Sequence, residues 1–309
     1  MSDDNSRYNF YGWQVADVLP VDPNYEKAGT PRDLYDILSG IWQADTCAPR
    51  MRDEWSEENR TLGQCSITAF LVQDIYGGEV YGILRPAGNY HCYNVVDGKV
   101  FDLTSEQFGE EVKLLSYENN PVQLRQDHFS KREKRLRYEL LRNRLQDALG
   151  SWRRMRRFAQ QVSYEKCYEV LEKQWRGVLS LQGDNGYPHG IVLDYFFDPV
   201  LGRMYFHGAR EGYKVDLIRN NPKASFCVWD EGFKKEGDWA LNINSIICYG
   251  TLRFIDPSEE IFLKSLRNLG GKYYTSEDQT EEEIRKAGSR VLMTEFTIER
   301  MTGKLVNES

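Results

Sequence analysis

The stretch MYFHGAREGYKVDLIRNNP, residues 204–222, decides the fold of the C-terminal half of this chain. It begins as a strand, passes through a glycine-containing turn and opens an amphipathic helix, with Lys214 in the first helical turn. Free backbone N–H groups, the positive end of the helix dipole and a lysine together favour an anion at such a position. The stretch therefore predicts a phosphate cradle for a phosphorylated cofactor. A solvated surface lysine is the alternative.

Short runs rich in β-formers surround this stretch and predict an antiparallel sheet. Turn sequences separate several of them, as in GDNGYP at residues 183–188. Six such strands with two or three helices predict an α+β unit built on a small six-stranded antiparallel barrel. The predicted strands are Arg176–Gln182, His189–Phe197, Arg203–His207, Ala224–Trp229, Ser245–Ile255 and Arg290–Glu299.

With these strands placed, the C-terminal half resembles the flavin-binding split-barrel family of the pyridoxamine 5'-phosphate oxidases, and within it the nitroimidazole-reductase-like branch. The resemblance covers about Tyr164 to Lys304. It is carried by GYPHGIVL at 186–193 followed by Tyr195, by FHGAREGYK at 206–214, by IRNNPK at 218–223 and by Tyr249-Gly250.

The resemblance implies an FMN cofactor at the interface of a homodimer and a small-molecule substrate. It places the backbone groups of Ile191, Val192 and Leu193 along the flavin ring, and His207 and Gly208 on the phosphate side, and it includes Tyr195 among the cofactor-binding residues. It places Gly212, Tyr213 and Lys214 around the phosphate itself.

The chain departs from the oxidase pattern in two places. Gly190 and Tyr195 stand where the oxidases have cationic residues, which leaves Lys214 as the main charged phosphate contact. The ending ERMTGKLVNES, residues 299–309, lacks the arginine- and histidine-rich substrate tail of true oxidases. Pyridoxamine phosphate oxidation is therefore not expected.

The N-terminal half contains a candidate nucleophile, Cys65, in the sequence GQCSITAFLVQDIY. The apolar residues after the cysteine are spaced as on a buried helix face. A cysteine at a helix N-terminus is favoured as thiolate. Free cysteine is also among the most buried residue types, so a core position is the alternative for Cys65.

A β-hairpin is predicted downstream of Cys65, around the turn Asp97-Gly98. If these two residues form the centre of the turn, Val96 faces Lys99, and His91 and Asp102 lie diagonally on one face of the hairpin. An acid beside a histidine is the arrangement that orients a general base. Cys65, His91 and Asp102 therefore form a candidate catalytic triad, with Gln64 as a candidate oxyanion donor.

The order Cys65, His91, Asp102 and the helix-then-hairpin setting resemble the transglutaminase and papain-like cysteine enzymes, and more closely the small bacterial YunG-like family. The resemblance covers roughly Asp33 to Leu145. In the larger superfamilies it implies acyl transfer or peptide hydrolysis, in which the thiolate attacks a carbonyl. A degenerate scaffold that only binds a ligand is the alternative.

Length and composition predict two domains in a protein of the cytoplasm. The 309 residues are about twice a common domain size. We expect an N-terminal extension at 1–30, a YunG-like Cys-His-Asp domain at 31–150 and an FMN-binding split barrel at 151–309. The six cysteines and four histidines show no metal-ligand spacing, and we predict no metal site.

Charge and hydropathy disfavour nucleic-acid and membrane partners. The net charge is −7, and no apolar run approaches the roughly 20 residues of a membrane span. The stretch from His128 to Arg157 is an exception because it is strongly basic with a helical apolar stripe. A solvated helix that links two domains is the favoured interpretation, and a nucleic-acid or acidic-membrane patch is the alternative.

Three functional hypotheses follow. The favoured one is an FMN-dependent flavoprotein oxidoreductase of a small molecule, with the N-terminal domain recruiting or processing a substrate. The second is a cysteine-dependent hydrolase or acyltransferase whose barrel dimerises or binds a ligand. The third is a non-catalytic protein that binds flavin or haem.

Overall fold

The computed structural model describes residues 8–153, 155–237 and 239–306 of the chain. They form two compact units that divide between Met155 and Arg156. No helix in these three ranges is long and apolar enough to cross a membrane.

The N-terminal unit combines four α-helices with a three-stranded antiparallel sheet of order β1-β2-β3. Short 3-10 helices connect these elements, at Trp13–Val15, Pro23–Ala28, Pro49–Glu54 and Ser105–Leu114. In chain order the elements are α1 Pro31–Ser39, α2 Cys65–Tyr76, β1 Glu79–Leu84, β2 Tyr90–Val96, β3 Lys99–Phe101, α3 Arg125–Phe129 and α4 Arg132–Ala148.

Helix α2 is the centre of this unit. Nearly all of its side chains from Ile67 to Tyr76 are buried, so it has no solvent face of the usual amphipathic kind. It contacts β1, β2 and α4. The hairpin turn has positive φ angles at Asp97 and Gly98, and Val96 pairs with Lys99 as predicted. Pairing of β2 with β3 ends at Phe101, and the predicted continuation to Asp102 is wrong.

The basic helix α4 is part of the N-terminal core, so its interpretation as a solvated linker is wrong. Leu141 and Leu145 are completely buried, and Arg135, Arg137 and Arg142 are buried with them. The guanidinium groups are tolerated because they are bound: Arg135 and Arg142 both pair with the carboxylate of Glu139, a neighbour on the same helix. The helix ends at Ala148 and does not extend to Arg157.

The C-terminal unit is an antiparallel sheet with four helices, in the strand order β5-β4-β8-β10-β11-β7-β6, and β9 pairs with β10. Strand β5 also contacts β7, so the sheet curls into a half-barrel. Its elements are α5 Tyr164–Lys173, β4 Arg176–Gln182, β5 Pro188–Asp194, β6 Phe196–Asp198, β7 Arg203–Ala209, α6 Tyr213–Asn220, β8 Lys223–Trp229, β9 Phe233–Lys234, β10 Leu241–Phe254, α7 Glu260–Tyr273, α8 Glu277–Ala287 and β11 Val291–Val306, with short 3-10 helices at Phe158–Gln160 and Gly288–Arg290.

The described part of this unit has eight strands instead of the predicted six. The predicted strand His189–Phe197 is interrupted at Tyr195, whose side chain turns into the core and whose carbonyl accepts a hydrogen bond from Lys272. The second additional strand is the short β9, which the sequence pattern did not indicate. The other predicted strands are confirmed, with β10 and β11 longer than expected.

Helices α7 and α8 are inserted between β10 and β11 and pack against each other. Their approach is close at Gly270, because a Cβ there would lie 2.5 Å from Cγ2 of Thr280. On its other side α7 contributes Phe262 and Leu266 to a cluster with Tyr205 and Met293 of the sheet. The helix pair is thus a fixed layer over this end of the sheet.

The burial of Arg137 gives a prediction about stability. Its Nε donates to the carbonyl of Thr46 at 2.8 Å and its Nη2 to that of Gly63 at 2.7 Å. Arg137→Ala leaves both buried carbonyls without this donor, and we expect a loss of about 2–4 kcal/mol in the free energy of unfolding measured in urea.

Arg144→Ala is the matched control on the same helix. Arg144 pairs with Asp45 at the surface, and a surface pair contributes at most about 1 kcal/mol. Equal effects of the two substitutions would contradict the assignment of Arg137 to the core.

Candidate functional site

Cys65 is the first residue of α2, and the chain enters the helix through a turn that requires glycine. Gly63 has φ of 68°, and a Cβ at this position would lie 2.6 Å from Sγ of Cys47. No side chain caps α2, so N–H groups of its first turn remain available near the cysteine. Cys65 itself is partly exposed, whereas Cys47 and Cys92 are buried.

His91 and Asp102 are brought together as the sequence predicted. His91 lies on β2, and its Nε2–H donates to Oδ2 of Asp102 at 2.6 Å. Both side chains are buried, with exposures of 2% and 1%. The other ring nitrogen, Nδ1, is buried without a well-aligned hydrogen-bond partner in the described chain, which leaves it as the nitrogen available to the thiol.

The carboxylate of Asp102 is held by neighbours that the sequence analysis missed. Oδ1 accepts hydrogen bonds from the backbone N–H and the hydroxyl of Thr104, each at 3.0 Å. Oδ2 accepts from the hydroxyl of Tyr117 at 2.9 Å. The spacing Asp-x-Thr is a local turn signal that points to Thr104. No sequence signal identifies Tyr117.

The electrostatics of the three groups favour a thiolate–imidazolium pair. Burial would raise the pKa of the Cys65 thiol, but hydrogen bonding and charge attraction to His91 outweigh it, and the pKa lies below its usual value. Burial would lower the pKa of His91, and the Asp102 charge and hydrogen bond raise it to about 10. The same imidazolium outweighs burial at Asp102 and keeps the pKa of that carboxyl low.

Gln64, the candidate oxyanion donor, is buried, and its Nε2 donates to the carbonyl of Gln43 at 3.1 Å. This hydrogen bond is structural and holds the loop before α2. The His91 ring makes a T-shaped contact with Phe108, with ring centroids 4.7 Å apart, and the guanidinium of Arg85 lies over the ring of Phe108. A small lid of side chains therefore shields the imidazole.

In the C-terminal unit, Lys214 lies in the first turn of α6 as predicted. Its ammonium group is half-buried, and burial lowers its pKa. No carboxylate pairs with it in the described ranges, unlike many other cations of this unit. The ammonium group lies close to the backbone of Gly208, because a Cβ at that position would be 2.7 Å from Nζ of Lys214.

His207 and the helix start border the same region. Burial lowers the pKa of His207, and the charges of Asp194 and Lys214 act on it in opposite directions. Gly212 precedes α6 with φ of 123°, a conformation that favours glycine. The hydroxyl of Tyr213 donates to Oδ1 of Asp184 at 2.6 Å.

The predicted ring-binding residues Ile191, Val192 and Leu193 lie on β5, at the end of the strand order. One edge of this strand has no partner strand in the described sheet, so its backbone groups are open to a ligand. Val192 is 66% exposed. Tyr195 is placed differently: it is completely buried, and its hydroxyl donates to the carbonyl of Leu171 at 2.7 Å. Its side chain packs in the core and faces no ligand.

The described residues contain no group of three or more His, Cys, Asp or Glu side chains arranged to hold a metal ion. All six cysteines are free thiols.

Comparison with known proteins divides the chain into two parts, and the division lies close to the boundary between its two compact units. Residues 30–150 match the family model described as YunG protein, and residues 163–305 match the family model described as Pyridoxamine 5'-phosphate oxidase. The "Uncharacterized protein YunG" of Bacillus subtilis (strain 168) is 38% identical over 72 residues, which are 23% of this chain and 57% of that protein. The chain thus spans little more than half the length of this curated relative.

Solved structures similar to the C-terminal half include two bacterial proteins. An FAD-binding protein from Mesorhizobium loti is 19% identical, with a TM-score of 0.35, over 48% of this chain and 97% of its own. The FAD and heme binding protein from Mycobacterium smegmatis is 16% identical, with a TM-score of 0.36, over 48% of this chain and 74% of its own. The N-terminal half is therefore similar to the YunG family and the C-terminal half to the pyridoxamine 5'-phosphate oxidase family.

Proposed function

We propose that the C-terminal unit binds FMN and that the chain is a flavin-dependent oxidoreductase of a small molecule. The observation that carries this proposal is the half-buried ammonium of Lys214, which has no carboxylate partner in the described ranges and lies against Gly208 at the start of α6. Partial burial of an unpaired charge is unfavourable unless an anion accompanies it. The match of residues 163–305 to an oxidase family supports a flavin phosphate as that anion.

The residues around Lys214 fit such a cofactor. Lys214 and the N–H groups at the start of α6 would hold the phosphate. The open edge of β5 at Ile191 and Leu193 would hydrogen-bond the ring system. Bound FMN would supply hydride or electron transfer, and the protein would orient it and tune its electronics.

His207 lies where it would meet the cofactor or the substrate. Its lowered pKa keeps the imidazole neutral at pH 7, so it has one N–H donor and one acceptor nitrogen. It therefore suits hydrogen bonding better than charge compensation. We further propose a homodimer through this unit, supported by exposed apolar side chains such as Val192, Trp229 and Tyr187.

A substitution of Lys214 tests the cofactor site. Hydrogen bonds to charged groups contribute about 1.5–3 kcal/mol, so Lys214→Ala should raise the dissociation constant for FMN about tenfold or more. The measurement is a titration of cofactor-free protein with FMN, followed by flavin fluorescence. Lys264→Ala, which removes an exposed lysine of α7, is the matched control and should bind FMN as the wild type does.

Two results would contradict this proposal. The first is a colourless wild-type protein that gains no flavin absorption when FMN is added. The second is an unchanged FMN affinity of the Lys214→Ala variant, which would show that the phosphate binds elsewhere.

The N-terminal unit supports a second candidate function, a cysteine-dependent acyl transfer or hydrolysis. The observation in its favour is the pairing of His91 with the buried Asp102 beside the partly exposed Cys65. The thiolate would attack a carbonyl carbon and form an acyl-enzyme. The imidazolium would give its proton to the leaving group, and water or another acceptor would then release the acyl group.

The lowered pKa of Cys65 predicts the pH dependence of its alkylation. Iodoacetamide reacts with the thiolate, so the rate rises as the pH passes the pKa of the thiol. For Cys65 this rise should occur below the usual thiol range. For Cys227, which is also partly exposed but whose pKa is raised by burial, it should occur above that range. At pH 7 we therefore expect Cys65 to be alkylated first, as followed by peptide mass spectrometry.

His91→Ala is the informative variant for this experiment. Without the imidazolium only the burial effect on the thiol remains, so its pKa should rise and the alkylation rate at pH 7 should fall about tenfold for each unit. Cys227 should react unchanged in the same sample. Equal rates at Cys65 and Cys227 in the wild type would remove the support for a nucleophile at position 65.

A further inference from the structure

A cavity of about 410 Å³ lies in the C-terminal unit, where α7 and α8 adjoin the end of β7. Its volume is within the range of about 300–1,000 Å³ that is typical of small-molecule sites. The tight α7–α8 contact at Gly270 fixes the helix wall, so the cavity is preformed. Apolar and aromatic side chains dominate that wall: Leu266, Leu269, Tyr273, Tyr274, Ile284 and Ala287.

Most polar groups of the lining are already engaged. The hydroxyl of Tyr273 donates to the carbonyl of Trp175 at 2.7 Å, and Thr280 donates to the carbonyl of Ser276. Asp194 pairs with Arg176. The imidazole of His207 has no such partner in the described chain and stands at the wall of the cavity. Its ring nitrogens are therefore available to hydrogen-bond a ligand, as is the hydroxyl of the half-exposed Tyr274.

The charges of the lining select against anions. No lysine or arginine is among the described lining residues, whereas Asp194 and Glu283 contribute carboxylates. Arg176 already compensates Asp194, so a phosphate or carboxylate in this cavity would meet the charge of Glu283 and would find no lysine or arginine in the described lining. An uncharged ring fits the apolar wall, and a carbonyl oxygen on that ring can accept a hydrogen bond from a neutral imidazole.

We propose that this cavity binds the substrate of the C-terminal unit and that the substrate is an uncharged, flat ring compound with a carbonyl group, of the quinone type. The claim that the cavity is a substrate site rests on the proposed function, because it requires a flavin bound at Lys214, close to His207. The claim that the cavity binds a ring compound is independent of that function, because the lining is complete without a flavin.

Blocking the cavity tests the inference in the full-length protein. Ala287→Trp places a large ring at its wall, and Leu263→Trp makes the same kind of change on the exposed side of α7, outside the cavity. Binding of menadione, a naphthoquinone, is measured by equilibrium dialysis, with and without pyridoxal 5'-phosphate as an anionic competitor. FMN content is measured separately from the flavin absorption of each variant.

We expect Ala287→Trp to weaken menadione binding about tenfold or more with an unchanged FMN content, and Leu263→Trp to bind as the wild type does. Pyridoxal 5'-phosphate should not compete. If Ala287→Trp does not fold, Tyr274→Ala, which removes a half-exposed ring of the wall, should also weaken menadione binding.

The other outcomes separate the two proposals. In one outcome the wild type binds menadione but no FMN, while Ala287→Trp loses menadione binding. This result would support the proposed ligand cavity and refute the proposed flavin site. Equal menadione binding in the wild type and both cavity variants would overturn the inference. Joint loss of FMN and menadione in Ala287→Trp would overturn it as well, because the cavity would then belong to the flavin site. Competition by pyridoxal 5'-phosphate would refute the uncharged substrate class.

Discussion

The buried carboxylate of Asp102 is the constraint on which the N-terminal unit depends. A carboxylate with 1% exposure is stable only when its oxygens are hydrogen-bonded, and here His91, Thr104 and Tyr117 supply the donors. These donors come from a strand and from two separate loops. The backbone N–H of Asp102 also donates to the carbonyl of Tyr11, near the start of the described chain. The carboxylate and the backbone of this one residue therefore connect segments that are distant in the sequence.

Helix α4 also contains buried charges that are satisfied by hydrogen bonds, and it does so close to Cys65. Its arginines are buried because they bind carbonyl and carboxylate groups, and Arg137 holds the loops at Thr46 and Gly63 that precede the candidate nucleophile Cys65. The N-terminal unit thus places a thiol at a helix start, an imidazole on a strand and a carboxylate at a strand end. Each is fixed by buried polar contacts. Such preorganisation is what the proposed acyl-transfer chemistry would require.

Among the described residues of the C-terminal unit, the charge of Lys214 lacks the partners that the buried charges of the N-terminal unit have. Lys223, Arg176 and Arg267 of this unit all have carboxylate partners, whereas the half-buried Lys214 has none in the described ranges. A protein tolerates such a group when an external anion completes it. The apolar cavity beside His207 has no lysine or arginine in its described lining, so the proposed anion site and the proposed substrate site are chemically different surfaces. The two halves resemble two different families, and each half carries its own candidate chemistry: cysteine-dependent acyl transfer in the first and flavin-dependent oxidoreduction in the second.

Local patterns in the sequence determined most of the elements. The alternation of apolar residues predicted the sheet strands, the Asp97-Gly98 turn predicted the hairpin, and the GQC start predicted a cysteine at the N-terminus of a helix. All of these depend on neighbours within a few residues, for which backbone geometry and side-chain period are sufficient. The Cys65, His91 and Asp102 trio could also be identified from the sequence, because the hairpin ends one residue before Asp102 and still brings this residue close to His91.

Tertiary structure alone decided which polar side chains are buried and which surfaces remain open. The basic pattern of α4 looked like a solvated helix, because charge in a sequence does not reveal that Glu139 and distant carbonyls lie opposite the arginines. Tyr195 looked like a ligand contact, but the break between β5 and β6 turns it into the core. Tyr117 and the cavity under α7 and α8 had no sequence signal, because both arise from packing between segments far apart in the chain. The sequence determined the local elements and the candidate reactive residues. Long-range packing determined which groups surround those residues and which surfaces remain open to a ligand.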